Sequence, residues 1–344
     1  MSSMPVQTVF LTGASGFVGT HVAEELLRRG CEVRCLLRPT ARAEHLDRPG
    51  VVRVEGTLEA PDSYRHALDG CDTVLHAGGL VAARSKHELL RTNGEATGWL
   101  ADACAALPTP PRFVYVSSLA AAGPPPLERA YRDEIDVPAP VSDYGASKRA
   151  GEIALEQRAE RLPITIVRPG IVYGDRDPKM AAIFKAIQRT GLHVVVGFHT
   201  PRLSLIHIDD LVDLLLRAAR DGETLVPSGS RDAGHRGFYF ACDDREHPTY
   251  GQFGRRVAAA LGRRVVVWPL WRWVGRTVGG VSEELSRLTG SVAMLSRDKV
   301  REATAWSWAC SAAKARAQLA FVPARPLDFR LRQTAEWYRD HGWL

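Results

Sequence analysis

Short runs of apolar residues punctuate the first half of the chain, each followed by a stretch with helical spacing. Thr8–Thr12, Val33–Leu37, Val51–Glu55, Thr73–His76, Arg112–Ser117 and Ile164–Arg168 read as strands. Between them Phe17–Arg29, His87–Ala106 and Tyr144–Glu160 read as helices, the first closed by Gly30. Strands that are apolar at consecutive positions, not at every second one, are buried on both faces, as in parallel sheets. Their alternation with helices predicts βαβ units and an α/β fold with a doubly wound parallel sheet. After Gly174 the rhythm loosens. Pro178–Thr190, Asp209–Arg220 and Thr249–Leu261 read as helices and Thr224–Gly237 as a loop. From Trp268 to the closing Leu327–His341 the chain reads as helical and irregular.

A length of 344 residues allows one large unit or two closely joined ones. At 45% hydrophobic and 24% charged, the chain can fill a core, which excludes a disordered scaffold, a disulfide-stapled module and a collagen-like repeat. Its net charge of +6 comes without a long Lys/Arg block and reads as scattered. An anionic ligand fits that better than nucleic acid. Cys31, Cys35, Cys71, Cys104, Cys242 and Cys310 form no CxxC pair and no metal-ligand spacing with His, so no metal site is expected and the thiols read as reduced. Met1–Gln7 lacks the features of a leader, and no run of about 18 apolar residues occurs, so a cytoplasmic protein without a transmembrane segment is expected.

Leu11-Thr12-Gly13-Ala14-Ser15-Gly16-Phe17-Val18-Gly19 follows the first strand and opens a helix. A glycine turn there lets backbone N–H groups approach a pyrophosphate, with the partial positive charge of the helix start behind them. The spacing is GxxGxxG, not GxGxxG. Downstream, Tyr144-Gly145-Ala146-Ser147-Lys148 places a phenol and an ammonium on one helical face. A cation near the phenol favours phenolate and predicts a lowered tyrosine pKa, suiting Tyr144 to proton transfer. Ser117 and Ser118 end the fifth strand, where open α/β sheets bind ligands, and a hydroxyl there could hold the oxygen of a reacting carbonyl.

Together, TGASGFVG, RFVYVSS, YGASK and the Arg168-Pro169-Gly170-Ile171-Val172-Tyr173-Gly174 run resemble the extended short-chain dehydrogenase/reductases of the NAD-dependent epimerase/dehydratase superfamily. The nearest branch is that of dihydroflavonol reductases and 3β-hydroxysteroid dehydrogenases. The resemblance spans nearly the whole chain, through Ile206-His207-Ile208-Asp209-Asp210 to the C-terminal Gly342-Trp343-Leu344. It implies a Rossmann-type sheet with a smaller, partly interleaved C-terminal substrate domain. Residues 1–175 would bind the dinucleotide, with parts of 203–245 returning to that domain, and 176–344 would mainly bind substrate.

By position, Tyr144 would be the acid/base and Lys148 would orient the nicotinamide ribose. Ser118, five residues before Gly123, would be the catalytic serine with Ser117 in reserve, and Asn93 would support the active-site helix. Cofactor contacts would come from Gly13, Ser15, Gly16, Phe17, Val18, Gly19, Arg38, Leu58, Ala77, Gly78, Gly79, Tyr144, Lys148, Pro169, Gly170, Ile171 and Val172. Two motifs depart from the family. Gly56-Thr57-Leu58 stands where a GDL segment would contact adenine, and His76-Ala77-Gly78-Gly79 replaces HxAA.

The second strand ends at Arg38-Pro39 with no acid to hold the ribose hydroxyls, and Arg42 follows. A guanidinium there suits a 2′-phosphate, so NADPH is expected over NADH. Leu270, Val274, Val278 and Val281 recur at helical spacing, with Arg272 and Arg276 on another face and Trp268, Trp271 and Trp273 nearby. That region reads as a core helix or as an apolar lid or membrane-surface contact. Arg202, His207, Asp209 and Arg231 are candidates for the substrate side, with Asp209 alternatively a helix cap and His207 a buried structural histidine. The expected activity is hydride transfer between nicotinamide and an apolar ketone or alcohol, in a homodimer. A nucleotide-sugar epimerase or dehydratase with recycled NAD, or a dinucleotide sensor without chemistry, are the other readings.

Overall fold

In the computed structural model residues 7–198, 200–227, 229–230, 235–270 and 297–344 are described. Seven strands pair in parallel: β1 (Thr8–Thr12), β2 (Glu32–Leu37), β3 (Val51–Glu55), β4 (Thr73–His76), β5 (Arg112–Val116), β6 (Ile164–Pro169) and β7 (Phe238–Ala241). Their order is β3-β2-β1-β4-β5-β6-β7, with Leu11 registered against Cys35 of β2 and Leu75 of β4. The order reverses beside β1, so connections leave on both faces and a crevice opens beyond the C-terminal strand ends. This is a Rossmann-type sheet.

Successive strand residues feed opposite cores. Val9 and Leu11 join Val22, Leu26, Leu211 and Leu215 under helices α1 (Phe17–Arg28) and α4 (Ile208–Asp221). Phe10, Phe113, Tyr115 and Ile166 join Leu100, Cys104 and Leu155 under α2 (Ala96–Ala105) and α3 (Asp143–Glu156). At about 1.5–3 kcal/mol for each large side chain fully buried, both faces drive the sheet together.

Three elements differ from the sequence reading. β7 lies beyond the loop read over Thr224–Gly237; only four residues long, it pairs with β6 through Phe238↔Ile166. The helix expected over His87–Ala106 is broken into Lys86–Leu90, a π turn Arg91–Glu95 and α2. There α3 packs so closely that a Cβ on Gly151 would lie 2.3 Å from the Asn93 carbonyl oxygen. The third is Val266–Leu270, a strand pairing in parallel with Leu192–Val196 and not the start of a helix. The β-branched run Val265–Val267 favours extended backbone over helix. Trp271, Arg272, Trp273, Val274, Arg276, Val278 and Val281 of that helical reading, and Arg231, lie outside the described residues.

A third core packs Pro178–Thr190 and Tyr250–Ala260 against the closing helix Leu327–Asp340 through Phe184, Phe253, Val257, Leu331 and Tyr338. Among the described residues no helix is long and apolar enough to cross a membrane, and no group of His, Cys, Asp or Glu could hold a metal ion.

Candidate active site

The loops leaving β1, β4, β5 and β6 meet at one end of the sheet. After β1, Gly13 adopts φ +75°, and a Cβ on it would lie 2.7 Å from the Gly78 nitrogen and 2.8 Å from the Ala77 carbonyl oxygen. Only glycine lets these two loops touch. Gly16 caps α1, whose first turn holds no acid, and a Cβ on Gly19 would strike the Gly13 carbonyl oxygen. Ser15 and Gly16 are exposed, Phe17 and Val18 half-buried. The result is a bare backbone cradle before a helix start, which fits a dinucleotide pyrophosphate. Leu58 lies against Gly78, with its Cδ1 3.1 Å from where a Cβ would stand. Arg38 and Arg42 are exposed just beyond β2, and neither guanidinium has a partner among the described residues. Pro169 ends β6, the Gly170 nitrogen bonds to Ala241, and Ile171 and Val172 pair with Leu205 and Ile206.

The two strand-end serines have different neighbours. Ser117 is buried and its hydroxyl donates to Glu152 Oε1 at 2.6 Å. Ser118 caps the short helix Leu119–Ala122, its hydroxyl accepting the Ala120 N–H at 3.1 Å, and stands beside the Tyr144 phenol. Tyr144 sits in the first turn of α3 and Lys148 one turn further on. Lys148 is buried; its Nζ donates to the Val116 carbonyl at 2.7 Å and lies 4.2 Å over the Tyr115 ring.

Burial pushes the Tyr144 phenol up to about 12, against the opposing Ser118 hydrogen bond and with a further rise from the Glu302 charge. The lowered pKa expected from Lys148 is thus reversed, because that ammonium is taken up by Val116 and Tyr115. Lys148 itself is brought down to about 7 by burial, with Glu152 resisting. His76 is forced down to about 3 by burial and by Lys148; its ring stacks on Tyr115 and bridges Thr12 and Thr97.

Asn93 is carried inward by the π turn. Its amide clasps both backbone groups of Leu80 at 2.8 Å and donates to the Ser147 hydroxyl at 2.9 Å, tying the loop after β4, near Gly79, to α3. His207 is buried and caps α4, while Asp209 lies in its first turn, paired with Arg330 at 2.8 Å. Burial opposes ionisation of Asp209, but His207 and Arg330 hold its carboxyl below the usual range. Arg202 is exposed and lines a separate cavity of about 500 Å³ with His247, Arg255 and Arg256.

Two groupings escaped the sequence reading. Glu152 is wholly buried, receiving Arg168 through two bonds of 2.8 and 2.7 Å as well as Ser117. The Lys148/Glu152 spacing of four residues was the available signal. The other lies far along the chain: Asp298 accepts the N–H groups of Asp143 and Tyr144, and Glu302 accepts the Ser142 hydroxyl at 2.7 Å. The helix Arg297–Ala303 therefore seals the start of α3, and no local pattern announces it.

A glycine cradle, a Ser/Tyr/Lys set and a sheet of this order define an NAD(P)-dependent oxidoreductase of the extended short-chain type. The chain belongs to the NAD dependent epimerase/dehydratase family, whose model matches residues 9–230. It is 29% identical to the ceramide reductase of Caulobacter vibrioides over 340 residues, 98% of this chain and 96% of that one. Among solved structures it is similar to gox2253, with a TM-score of 0.77 and 25% identity over 98% of this chain and 99% of that one. The UDP-glucose 4-epimerase of Thermotoga maritima shares the fold, at a TM-score of 0.76 and 21% identity, covering 97% of this chain and 99% of that one.

Proposed function

We propose that this protein is an NADPH-dependent ketoreductase acting on an apolar, lipid-like carbonyl compound. The observation carrying this reading is the Ser118–Tyr144 pair with Lys148 one turn along α3, at the C-terminal end of β5. A phenol held well above neutrality is protonated, the form needed to give a proton to a carbonyl oxygen that is being reduced. Ser118 would hold the same oxygen and orient the carbonyl. Lys148 would bond the nicotinamide ribose, and Asn93 would fix the loop and helix on which the set stands. When bound, the cofactor supplies the hydride.

Arg38, unpartnered at the end of β2, supports the choice of NADPH, with Arg42 assisting. The likeness to a ceramide reductase over the full length supports a long-chain substrate. A homodimer in the cytoplasm completes the proposal.

The test is a panel of carbonyl compounds followed at the nicotinamide absorbance. Long-chain β-keto lipids should consume NADPH, with NADH at least about tenfold poorer; nucleotide sugars should not consume it. A second reading, nucleotide-sugar epimerisation with recycled NAD, draws on the cavity where Arg202 and Arg255 could meet a diphosphate. Purified protein that retains NAD and interconverts nucleotide sugars without net cofactor turnover would establish that reading. Dinucleotide binding with no turnover on any substrate would instead leave a sensor.

A further inference from the structure

Leu192–Val196 and Val266–Leu270 form a two-stranded parallel sheet that breaks the rule for such sheets. Parallel strands are ordinarily covered on both faces. Here the inner face is covered: His193 and Val195 are buried, and Val267 rests on the helix Tyr250–Ala260 near Gly251. The register pairs Val266 with Leu192 and Trp268 with Val194, so these four side chains share the other face. Their exposures are 57, 42, 57 and 49%. Four large apolar side chains in one exposed block are a patch that calls for a partner.

The charge around the patch indicates the partner. Residues 178–208 and 247–270, which supply the strands and helices of this layer, hold eight of the chain's 45 Lys and Arg and none of its 39 Asp and Glu. The basic excess that reads as scattered is therefore concentrated once the acidic residues are followed as well. The Val266 nitrogen bonds to the Gly191 carbonyl, which brings the two strand starts together. Arg189, Arg263 and Arg264 are exposed at that edge, with no acidic partner among the described residues. An apolar block with an interfacial tryptophan, rimmed by unpaired guanidiniums, matches the layering of an anionic bilayer surface: headgroup charge outside, hydrocarbon within.

We propose that this sheet face docks the protein on anionic lipid membranes, with Leu192, Val194, Val266 and Trp268 entering the interface and Arg189, Arg263 and Arg264 pairing with headgroups. The proposal is independent of the catalytic reading, because docking is measured without NADPH or substrate.

The experiment is co-sedimentation of the full chain with phosphatidylcholine vesicles, alone or mixed with phosphatidylglycerol. Wild-type protein should sediment with the mixed vesicles only, and less as salt is raised. Each guanidinium near the surface contributes about fivefold in affinity, so Arg263→Glu/Arg264→Glu should lose at least about 25-fold. Turnover of a water-soluble ketone by that variant should be unchanged. Trp268→Ser should weaken binding about tenfold, with an unchanged melting temperature showing that it folds. Failure to bind the mixed vesicles, or undiminished binding by the double variant, would overturn the proposal. So would a wild-type dimer that Trp268→Ser converts to monomer, which would give the face to a second copy. Heparin binding as tight as vesicle binding and insensitive to Trp268→Ser would likewise reduce the patch to a generic polyanion site.

Discussion

The seven-stranded sheet and the small Leu192–Val196/Val266–Leu270 sheet use the same hydrogen-bond pattern and differ in what lies on them. In the large sheet Phe10 and Leu11 point to opposite cores and both are fully buried. In the small one Val195 is buried while Val194 beside it is half exposed. A run of valines looks alike in both places, so an apolar strand declares that both its faces want cover, not that this chain provides it. The large sheet finishes its packing internally and spends its strand ends on chemistry. The small sheet leaves packing to be finished by something outside.

That comparison can be broken or sharpened by mutation. The largest effect is expected at the chemical end: Tyr144→Phe should lower turnover by about 10²–10⁴-fold. NADPH binding, followed by fluorescence titration, should persist, because the glycine cradle is untouched. Full activity in this variant would remove the chemistry assigned to the large sheet.

Next comes the buried Glu152–Arg168 pair. Arg168→Ala leaves the buried Glu152 carboxylate only Arg149 at 3.1 Å and the Ser117 hydroxyl, and should cost about 3 kcal/mol in urea unfolding. Val194→Ser on the open face should stay within about 0.5 kcal/mol of wild type. Equal losses would mean that the small sheet is covered after all.

Arg38→Ala should raise the Michaelis constant for NADPH roughly ten- to a hundredfold and leave that for NADH nearly unchanged. The smallest effect is a pH dependence. Burial brings Lys148 down to about 7, so its ammonium is present below that pH and is lost as pH rises through it. A ribose contact that needs the charged form must then take up a proton on binding, and NADPH affinity should fall as pH climbs past about 7. Lys148→Met should flatten that slope, which a titration series at fixed ionic strength would show.

The contrast also explains what could be read from the chain. β1, β4, β5 and β6 stood out because burial on both faces writes a nearly unbroken apolar run, and β2 and β3 through the shorter apolar stretches around Arg34 and Arg53. The phosphate loop and the Tyr144/Lys148 pair stood out because both are local spacings. β7 did not, being four residues long and joined to a Gly- and Ser-rich stretch. Which of Ser117 and Ser118 faces the phenol depends on the buried Glu152, thirty-odd positions away, and so could not be settled locally. Tyr144's raised pKa was misjudged for a related reason: four residues of helix bring Lys148 near, but only the packed structure shows its ammonium turned to Val116 and Tyr115. The cap supplied by Asp298 joins positions more than 150 residues apart, where no periodicity reaches.

The π turn at Arg91–Glu95 has a consequence of its own. Such a turn accommodates one residue more than an ordinary helical turn, and each helical residue turns the chain by about 100°. The segments on either side are therefore out of phase. Lys86–Leu90 and Ala96–Ala105 present faces that one continuous helix would not align, one toward the start of α3 and the other into the core beneath it. A length change of one residue, deleting Thr92, would restore a continuous helix and rotate one segment against the other. Asn93 would swing off Leu80 and Ser147, or Leu100 and Cys104 would leave the core. Here the number of residues in the turn matters as much as their identity, so the segment should accept many substitutions while rejecting deletions and insertions.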